Sequence, residues 1–202
     1  MSGTERAIVI GGASGIGWAV ARGLAAEGRH VTVADRNAEG ARARAEELGP
    51  DHAAADVDVT DEAAVAALFE RTGPVDVVVN TAGFGGFGRI TELPVEEFRA
   101  IVDCCLTGGF IVMKHAGRHL RSGGSLVSIT SLNARLAAPG MSAYCAAKAG
   151  LDMWTKTLAL ELAGSRITAN VLYPGVVATA MQEEIRNVDT SGTALDFSNW
   201  HR

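Results

Sequence analysis

Short β-branched runs alternate with longer Ala- and Leu-rich stretches along most of the chain, and this alternation restricts the fold more than any other feature. The runs are typical of strands, and the stretches between them have the length and composition of helices. Parallel strands joined by helices form a sheet that is covered on both faces. The sequence therefore predicts an α/β fold. The predicted strands are 7–10, 30–35, 53–59, 75–80, 125–130 and 166–173, and the predicted helices are 15–27, 38–48, 61–71, 95–121 and 142–163.

Composition and charge exclude several classes of protein. The 202 residues show no composition break, so we expect residues 1–202 to form a single domain. The net charge of −5 argues against binding to nucleic acid. No apolar run approaches membrane-spanning length, and no targeting segment is evident. Three cysteines in such a chain indicate free thiols in a reducing compartment, which predicts a cytoplasmic protein.

A glycine loop joins the first predicted strand to the first predicted helix, with glycines at 11, 12, 15 and 17. A pyrophosphate bound there would need close approach of the backbone, which side chains would block. The N-terminus of the following helix would offer it free N–H groups and a positive dipole end. A tight strand-to-helix turn without a ligand is the alternative interpretation of this loop taken alone.

The second predicted strand ends at Asp35, at the distance from the glycine loop where an acidic residue can bind a ribose 2′-hydroxyl. A carboxylate in this place would repel the 2′-phosphate of NADP. Arg36 follows directly and could partly offset that repulsion. We therefore favour NAD as the cofactor over NADP.

Tyr144 and Lys148 are spaced i and i+4 on one predicted helix, so they share a helix face. A nearby ammonium favours the phenolate, which would let the tyrosine act as a general acid or base near neutral pH. Ser131 ends a predicted strand at the sheet edge where open α/β folds bind ligands. A solvated lysine beside a helix tyrosine is the alternative for the pair taken alone.

With these motifs in order, the chain from about residue 5 to about 181 resembles the short-chain dehydrogenase/reductase family. Further matches are Asp58-Val59, the turn "NTAG" at 80–83, Asn170 and the segment "YPGVVAT" at 173–179. The resemblance implies a Rossmann-type, doubly wound parallel sheet in three layers (α/β/α). It also implies an NAD(P)-dependent oxidoreductase that transfers hydride between nicotinamide and a carbonyl or secondary alcohol.

The family's functional positions carry over residue by residue. The resemblance implies that Ser131 orients the substrate oxygen, that Tyr144 is the general acid/base, and that Lys148 binds nicotinamide ribose and lowers the pKa of the tyrosine. No metal site is expected. The implied cofactor-binding residues are Gly11, Ser14, Gly15, Ile16, Gly17, Asp35, Arg36, Asp58, Val59, Asn80, Ala82, Gly83, Tyr144, Lys148, Pro174, Gly175, Val177 and Thr179.

Three positions depart from the family pattern. Ile10 stands where the family usually has threonine, so we expect a hydrogen bond within the glycine loop to be lost. Thr81 replaces an asparagine or alanine without an expected effect. Cys105 stands where the family has an asparagine that supports a proton relay to the lysine, and Cys104 precedes it. Cys105 and the short C-terminal end keep open an alternative function, a non-catalytic or weakly active nucleotide-binding protein with a regulatory or scaffold role.

The remaining expectations concern the substrate, the assembly and the chain end. We expect a small-molecule carbonyl or alcohol in a moderately apolar pocket. We also expect a homodimer that pairs helices 95–121 and 142–163, and a six-stranded sheet with residues 182–202 as a substrate lid or poorly ordered tail. Asp152 and Glu161 are predicted to be helix-surface charges, and His115 and His119 to lie on a solvated or interface face. The predicted pocket residues are Asn133, Met141, Tyr173, Val176 and Met181, with the loop 84–89 nearby.

Cysteine is a weak hydrogen-bond donor and acceptor, so Cys105 cannot reproduce the paired functions of an amide. We therefore expect turnover to be slower by roughly one to two orders of magnitude than with asparagine at this position, which is within the usual size of a proton-transfer contribution. The substitution Cys105→Asn should raise the turnover number. Unchanged turnover across the pH range would contradict the relay argument.

Overall fold

The computed structural model describes residues 4–179. Its sheet has six parallel strands in the order β3-β2-β1-β4-β5-β6, which matches the predicted α/β fold of Rossmann type. The strands are β1 (Arg6–Ile10), β2 (His30–Asp35), β3 (Ala53–Asp56), β4 (Val75–Asn80), β5 (Leu120–Ile129) and β6 (Thr168–Leu172). The helices are α1 (Gly15–Ala26), α2 (Ala38–Leu48), α3 (Glu62–Thr72), α4 (Val95–Val102), α5 (Gly108–His119) and α6 (Ser142–Glu161).

The strand order reverses between β1 and β4, which are neighbours in the sheet although two strands separate them in the chain. The loops that leave these two strands diverge to opposite sides and open a crevice at the carboxyl edge of the sheet. In open α/β sheets this is where ligands bind. The topology therefore fixes the position of the site before any side chain is considered.

Helices cover both faces of the sheet and bury its β-branched residues. One core layer gathers around Phe69, Leu126 and Leu151, all at most 1% exposed. The other is smaller and packs Val31 and Val33 against α1 and α2. Because both faces are covered, the strands read as continuous apolar runs in the sequence.

The helices α4 and α5 form one continuous segment, Val95–His119, joined by a π-helical turn over Asp103–Thr107. In the part of the chain that the structure describes, this is the one helix long and apolar enough to cross a membrane by length and composition. The segment is not a continuous apolar run in the sequence, because charged residues such as Glu96, Arg99 and Asp103 interrupt it. Half of its most apolar window is buried inside the protein, which accounts for the hydropathy by packing against the sheet and α6.

Two histidines of α5 also differ from expectation. His115 is buried at 6% exposure and stacks on Phe69, with its Nε2 3.4 Å from the Glu62 carboxylate. The His119 ring lies against the same phenylalanine, at 5.5 Å between centroids. The i, i+4 pair therefore helps to hold α3 against α5.

Candidate active site

The crevice at the carboxyl edge is a cleft of about 840 Å³. It is lined by the loops that follow all six strands, by the π-helical turn, and by one face of α6. Ser131 and every predicted cofactor-binding residue except Asn80 line it. Phe84 also lines it, from the loop 84–89 that was predicted to lie nearby. Lining residues that the sequence reasoning missed are Ile10, Val57, Thr60, Thr81, Ala100, Asp103, Cys104, Thr107, Ile129 and Thr130.

Asn80 is 2% exposed and lies behind the wall of the cleft. Its Oδ1 accepts a hydrogen bond from the backbone N–H of Ala82 at 3.1 Å. Asn80 therefore shapes the turn that carries Ala82 and Gly83. It does not line the cleft, so the predicted direct contact with the cofactor does not fit its position.

The glycine loop has no room for side chains. A Cβ on Gly17 would lie 2.1 Å from the carbonyl oxygen of Gly11, and both Gly11 and Gly15 have positive φ (76° and 52°). The helix α1 starts at Gly15, and the side chain of its N-cap, Ser14, forms no capping hydrogen bond. The first N–H groups of α1 therefore face the cleft without a side-chain partner, which suits a phosphate group.

Thr81 holds the glycine loop in place from the neighbouring strand. Its Oγ1 donates toward the carbonyl oxygens of Ile10 at 2.7 Å and Gly11 at 3.1 Å. Thr81, which was predicted to have no effect, thus bonds the glycine loop through its side chain. A Cβ on Gly17 would also lie 2.6 Å from this oxygen, so the hydroxyl fills the space beneath the loop.

Two aspartates line the nucleotide end of the cleft. Asp35 accepts backbone N–H groups of Ala13 at 3.0 Å and Asn37 at 2.9 Å, which fixes its carboxylate at the end of β2. Hydrogen bonds from the backbone and side chain of Thr60 lower the pKa of Asp58, and the charge of Arg36 adds to this effect. The Arg36 guanidinium lies 5.8 Å from the centre of the Phe84 ring, toward the β4 side of the cleft.

The helix α6 carries Tyr144 and Lys148 on its buried face, at 7% and 3% exposure. The Lys148 ammonium donates to the carbonyl oxygen of Ile129 at 3.0 Å and lies 5.6 Å from the centre of the Tyr144 ring. Burial lowers the pKa of Lys148, and the nearby thiols oppose that shift. Ser131 accepts the N–H of Asn133 at 3.1 Å, which orients its hydroxyl in the short helix Leu132–Ala134.

Burial raises the pKa of Tyr144 to about 12, and the charge of Cys105 acts in the same direction. A side-chain hydrogen bond with Ser131 opposes the shift. In this structure Tyr144 is therefore a neutral phenol at physiological pH, and it interacts with Ser131, the predicted partner in catalysis. Lowering of its pKa by Lys148 stays a prediction, because the net shift of the Tyr144 pKa in this structure is upward.

Cys105 is 1% exposed, and its thiol donates to the carbonyl oxygen of Phe84 at 3.3 Å. A Cβ on Gly83 would lie 3.0 Å from the Lys148 nitrogen and 3.1 Å from the Cys105 sulfur. The thiol and the ammonium therefore flank the same glycine of the "NTAG" turn. The place of Cys105 beside Lys148 agrees with the position inferred for the relay residue.

Asp152 is buried at 7% exposure, so its prediction as a surface charge was wrong. It accepts the Tyr173 hydroxyl at 2.6 Å and the Lys156 ammonium at 2.7 Å, and Arg135 donates to the Tyr173 oxygen at 2.7 Å. Burial opposes ionisation of Asp152, but the hydrogen bonds from Lys156 and Tyr173 outweigh it and lower the pKa. This network ties α6 to the loop after Ser131 and to the segment before Pro174.

The predicted substrate pocket is only partly matched. Asn133 and Met141 line the cleft, with the Asn133 amide 3.3 Å from the Met141 sulfur. Tyr173 is turned toward Asp152 and does not line the cleft. Val176 is 56% exposed outside it, and Met181 lies beyond the described residues, as does the segment 182–202.

The comparisons with known proteins agree with this geometry. The family model described as "short chain dehydrogenase" matches residues 5–189. Trans-4-hydroxycyclohexanecarboxylate dehydrogenase of Sinomonas cyclohexanicum is 38% identical over 87% of this chain and 73% of its own length. The human 3-oxoacyl-[acyl-carrier-protein] reductase is 36% identical over 88% of this chain and 78% of its own length.

Among solved structures, that of a dehydrogenase/reductase from Sinorhizobium meliloti 1021 superposes with a TM-score of 0.83 at 35% identity. The match covers 90% of this chain and 75% of that one. The fold and the cleft define an oxidoreductase that acts on CH–OH or C=O groups with a nicotinamide cofactor. The chain belongs to the short-chain dehydrogenase/reductase family, and its relatives do not favour the non-catalytic alternative.

Thr81→Val should weaken nucleotide binding, because it keeps the shape of the side chain and removes the hydroxyl that braces the glycine loop. Losing a hydrogen bond of this kind costs about 1 kcal/mol, or roughly a fivefold rise in Kd. Fluorescence titration with NADH measures it, and Thr81→Ser, which keeps the hydroxyl, is the matched control. Equal Kd values for wild type and Thr81→Val would show that the brace does not support binding.

Asp152→Asn should lower stability by about 1–3 kcal/mol, because buried donors lose their charged acceptor. Folding lowers the pKa of Asp152. The ionised carboxylate therefore adds to the free energy of unfolding at pH values above the ordinary carboxyl pKa, and this contribution is lost as the pH falls through the lower pKa of the folded state. Urea unfolding of both proteins at pH 7 and at acidic pH measures this, with the exposed Glu161→Gln as control. A destabilisation that stays equal at acidic pH would contradict the charged role.

Proposed function

We propose that this protein is an NAD-dependent dehydrogenase/reductase that interconverts a ketone and a secondary alcohol, with Tyr144 as the general acid/base. The observation that carries the proposal is the convergence of Ser131, Tyr144 and Lys148 on one end of a cleft. The other end of that cleft is the glycine loop. A nucleotide held by the loop would extend toward the three side chains.

Each of the three side chains has a separate task. The Tyr144 hydroxyl gives a proton to the substrate oxygen during reduction and takes it back during oxidation. Ser131 donates a hydrogen bond to that oxygen as negative charge develops on it. Lys148 holds a positive charge beneath the tyrosine and presents donors for ribose hydroxyls. A nicotinamide bound beside them would accept or supply the hydride.

Cys105 affects proton supply in two ways. As a thiol it offers a single weak donor, which is already bonded to the carbonyl oxygen of Phe84. The amide of an asparagine would offer both a donor and an acceptor. In its thiolate form, which no longer donates, its negative charge raises the pKa of Tyr144 and makes the phenol a poorer acid. Both effects support the expectation that this residue slows the reaction, and both would be removed by asparagine.

NAD is favoured over NADP by the arrangement at the end of β2. Two backbone donors hold the Asp35 carboxylate at the place where a 2′-phosphate would bind. Arg36, which could neutralise that phosphate, lies over Phe84. The same guanidinium acts on Asp58 across the cleft. Arg36 therefore interacts with Phe84 and Asp58, and is not placed to neutralise the charge of Asp35.

The substrate end of the cleft suits a neutral molecule. Its walls include Phe84, Met141 and Asn133, none of which carries a charge. Arg135, the one candidate for an anionic substrate, is engaged with Tyr173 and Asp152. An uncharged carbonyl or secondary alcohol group therefore fits this end best, in keeping with the carbonyl and alcohol chemistry in the relatives' names.

Exposed apolar side chains on α5 and α6 support a homodimer. Phe110 and Trp154 are 48% and 39% exposed and contact each other edge to face, and Met153 and Leu160 are more exposed still. A patch of this kind on two adjacent helices is typical of a subunit interface. We also propose a cytoplasmic location, since the three cysteines are free. Light scattering should give the mass of two chains, and the mass of four would contradict the dimer.

Tyr144→Phe should reduce kcat by about 10²–10⁴-fold, the usual contribution of a general acid/base. The experiment is a screen of ketones and secondary alcohols with NAD(H), followed by kinetics of the variant on the best substrate. The Kd for NADH should change little and should remain below that for NADPH, because the tyrosine is remote from the glycine loop. A variant that keeps wild-type turnover would refute the role of Tyr144.

A further inference from the structure

The amide of Asn133 is a polar group at the substrate end of the cleft that the proposed reaction does not use. Asn133 lines the cleft from the short helix Leu132–Ala134, two residues after Ser131. Its backbone N–H donates to the Ser131 Oγ at 3.1 Å, which places its Cα within about 4.6 Å of that oxygen. The side chain of Asn133 therefore starts beside the hydroxyl that is proposed to bind the reacting oxygen.

Most of the hydrogen-bonding capacity of this amide is free. Its Nδ2 lies 3.3 Å from the sulfur of Met141, and a thioether is a weak acceptor. In the part of the chain that the structure describes, the Oδ1 of Asn133 and its second N–H have no hydrogen-bond partner. An amide carries two donors and one acceptor, so Asn133 can both donate to a hydroxyl oxygen and accept its proton.

The wall around the amide is held in place by other contacts. Met141 is 3% exposed, and the chain next to it is fixed by a hydrogen bond of 3.0 Å from the Gly88 N–H to the Gly140 carbonyl oxygen. The hydroxyl of Thr130, which also lines the cleft, donates to the Leu172 carbonyl oxygen at 3.0 Å. A fixed amide with free donors is the kind of polar group by which a mostly apolar pocket selects its ligand.

We propose that Asn133 is a specificity-determining residue, and that the substrate carries a second, neutral hydroxyl one or two carbons from the reacting carbon. Hydroxyketones and the corresponding diols are the class that fits. The short side chain of Asn133 and the closeness of its Cα to the Ser131 Oγ limit the second oxygen to a position near the first. This inference rests on the proposed function, because Ser131 must bind the reacting oxygen for the amide to meet the other one.

The second hydroxyl takes no part in the chemistry. During oxidation of the diol, the hydride leaves the reacting carbon for the nicotinamide, and the proton of the reacting hydroxyl passes to Tyr144. The second oxygen keeps its bonds throughout. Its hydrogen bonds to Asn133 orient the reacting carbon, so their loss should lower kcat/KM for oxygenated substrates more than for others.

The test compares two pairs of ketones that differ in a hydroxyl: acetoin with butanone, and diacetone alcohol with methyl isobutyl ketone. Because a hydroxyl also changes the intrinsic reactivity of a ketone, the measured quantity is the ratio of kcat/KM within each pair, for each protein. In at least one pair, Asn133→Leu should lower this ratio by about five- to tenfold, the usual effect of one hydrogen bond.

Two further variants control for changes in shape. Asn133→Ala removes the amide without adding bulk beside Met141, and it should lower the ratio as Asn133→Leu does. Met141→Leu keeps the amide and nearly the same volume, and it should keep the wild-type ratio. Thermal unfolding of each variant checks that its fold is intact.

The outcomes separate this inference from the proposed function. Ratios that are equal in wild type and in both Asn133 variants, or that fall as far in Met141→Leu, would overturn the role of Asn133. Turnover confined to ketones without a second oxygen, or a preference for them in both pairs, would overturn the substrate class. In each of these cases the enzyme is active and the inference fails alone. If the wild type reduces no carbonyl compound with NADH, the proposed function fails.

Discussion

The burial of the Lys148 ammonium is the constraint on which the site depends. At 3% exposure it donates to the carbonyl oxygen of Ile129 and has the Cys105 thiol nearby. A buried cation is costly unless it is paired, so the surrounding groups must stay in place to keep it charged. The carboxyl end of β5, the "NTAG" turn and α6 all meet at this nitrogen. A nucleotide that brings ribose hydroxyls there would satisfy the donors that remain.

The helix α6 connects this charge to the rest of the molecule. Tyr144, Lys148 and Asp152 recur every four residues on its buried side, so one helix face carries the acid/base, the cation and the anchor for the neighbouring loops. Asp152 holds Tyr173, which precedes Pro174, and through Arg135 it reaches the loop that follows Ser131. Asp152, one helical turn after Lys148, thus helps to hold the loops that carry Ser131 and Pro174 against α6.

The strand–helix alternation, the glycine loop and the tyrosine–lysine spacing could be predicted because each is a local pattern with a physical period. The role of Thr81 could not be, since its partner Ile10 lies on another strand and only the sheet brings them together. Asp152 was misjudged for the same reason: its sequence neighbours are typical of an exposed face, and Tyr173 approaches it only in the fold. Asn80 matches the family motif, but the motif alone does not show that its side chain supports the turn at Ala82 and does not line the cleft.

Titration of Tyr144 with and without nucleotide tests the central claim most directly. Absorbance near 295 nm, with Tyr144→Phe subtracted, reports the phenolate. Without nucleotide we expect a pKa of about 12, as burial dictates. With NAD⁺ bound, its positive ring and the ordered Lys148 should lower that value by several units, and oxidation of an alcohol should rise with pH through the same value. A pKa that stays near 12 with NAD⁺ bound would contradict Tyr144 as the general base.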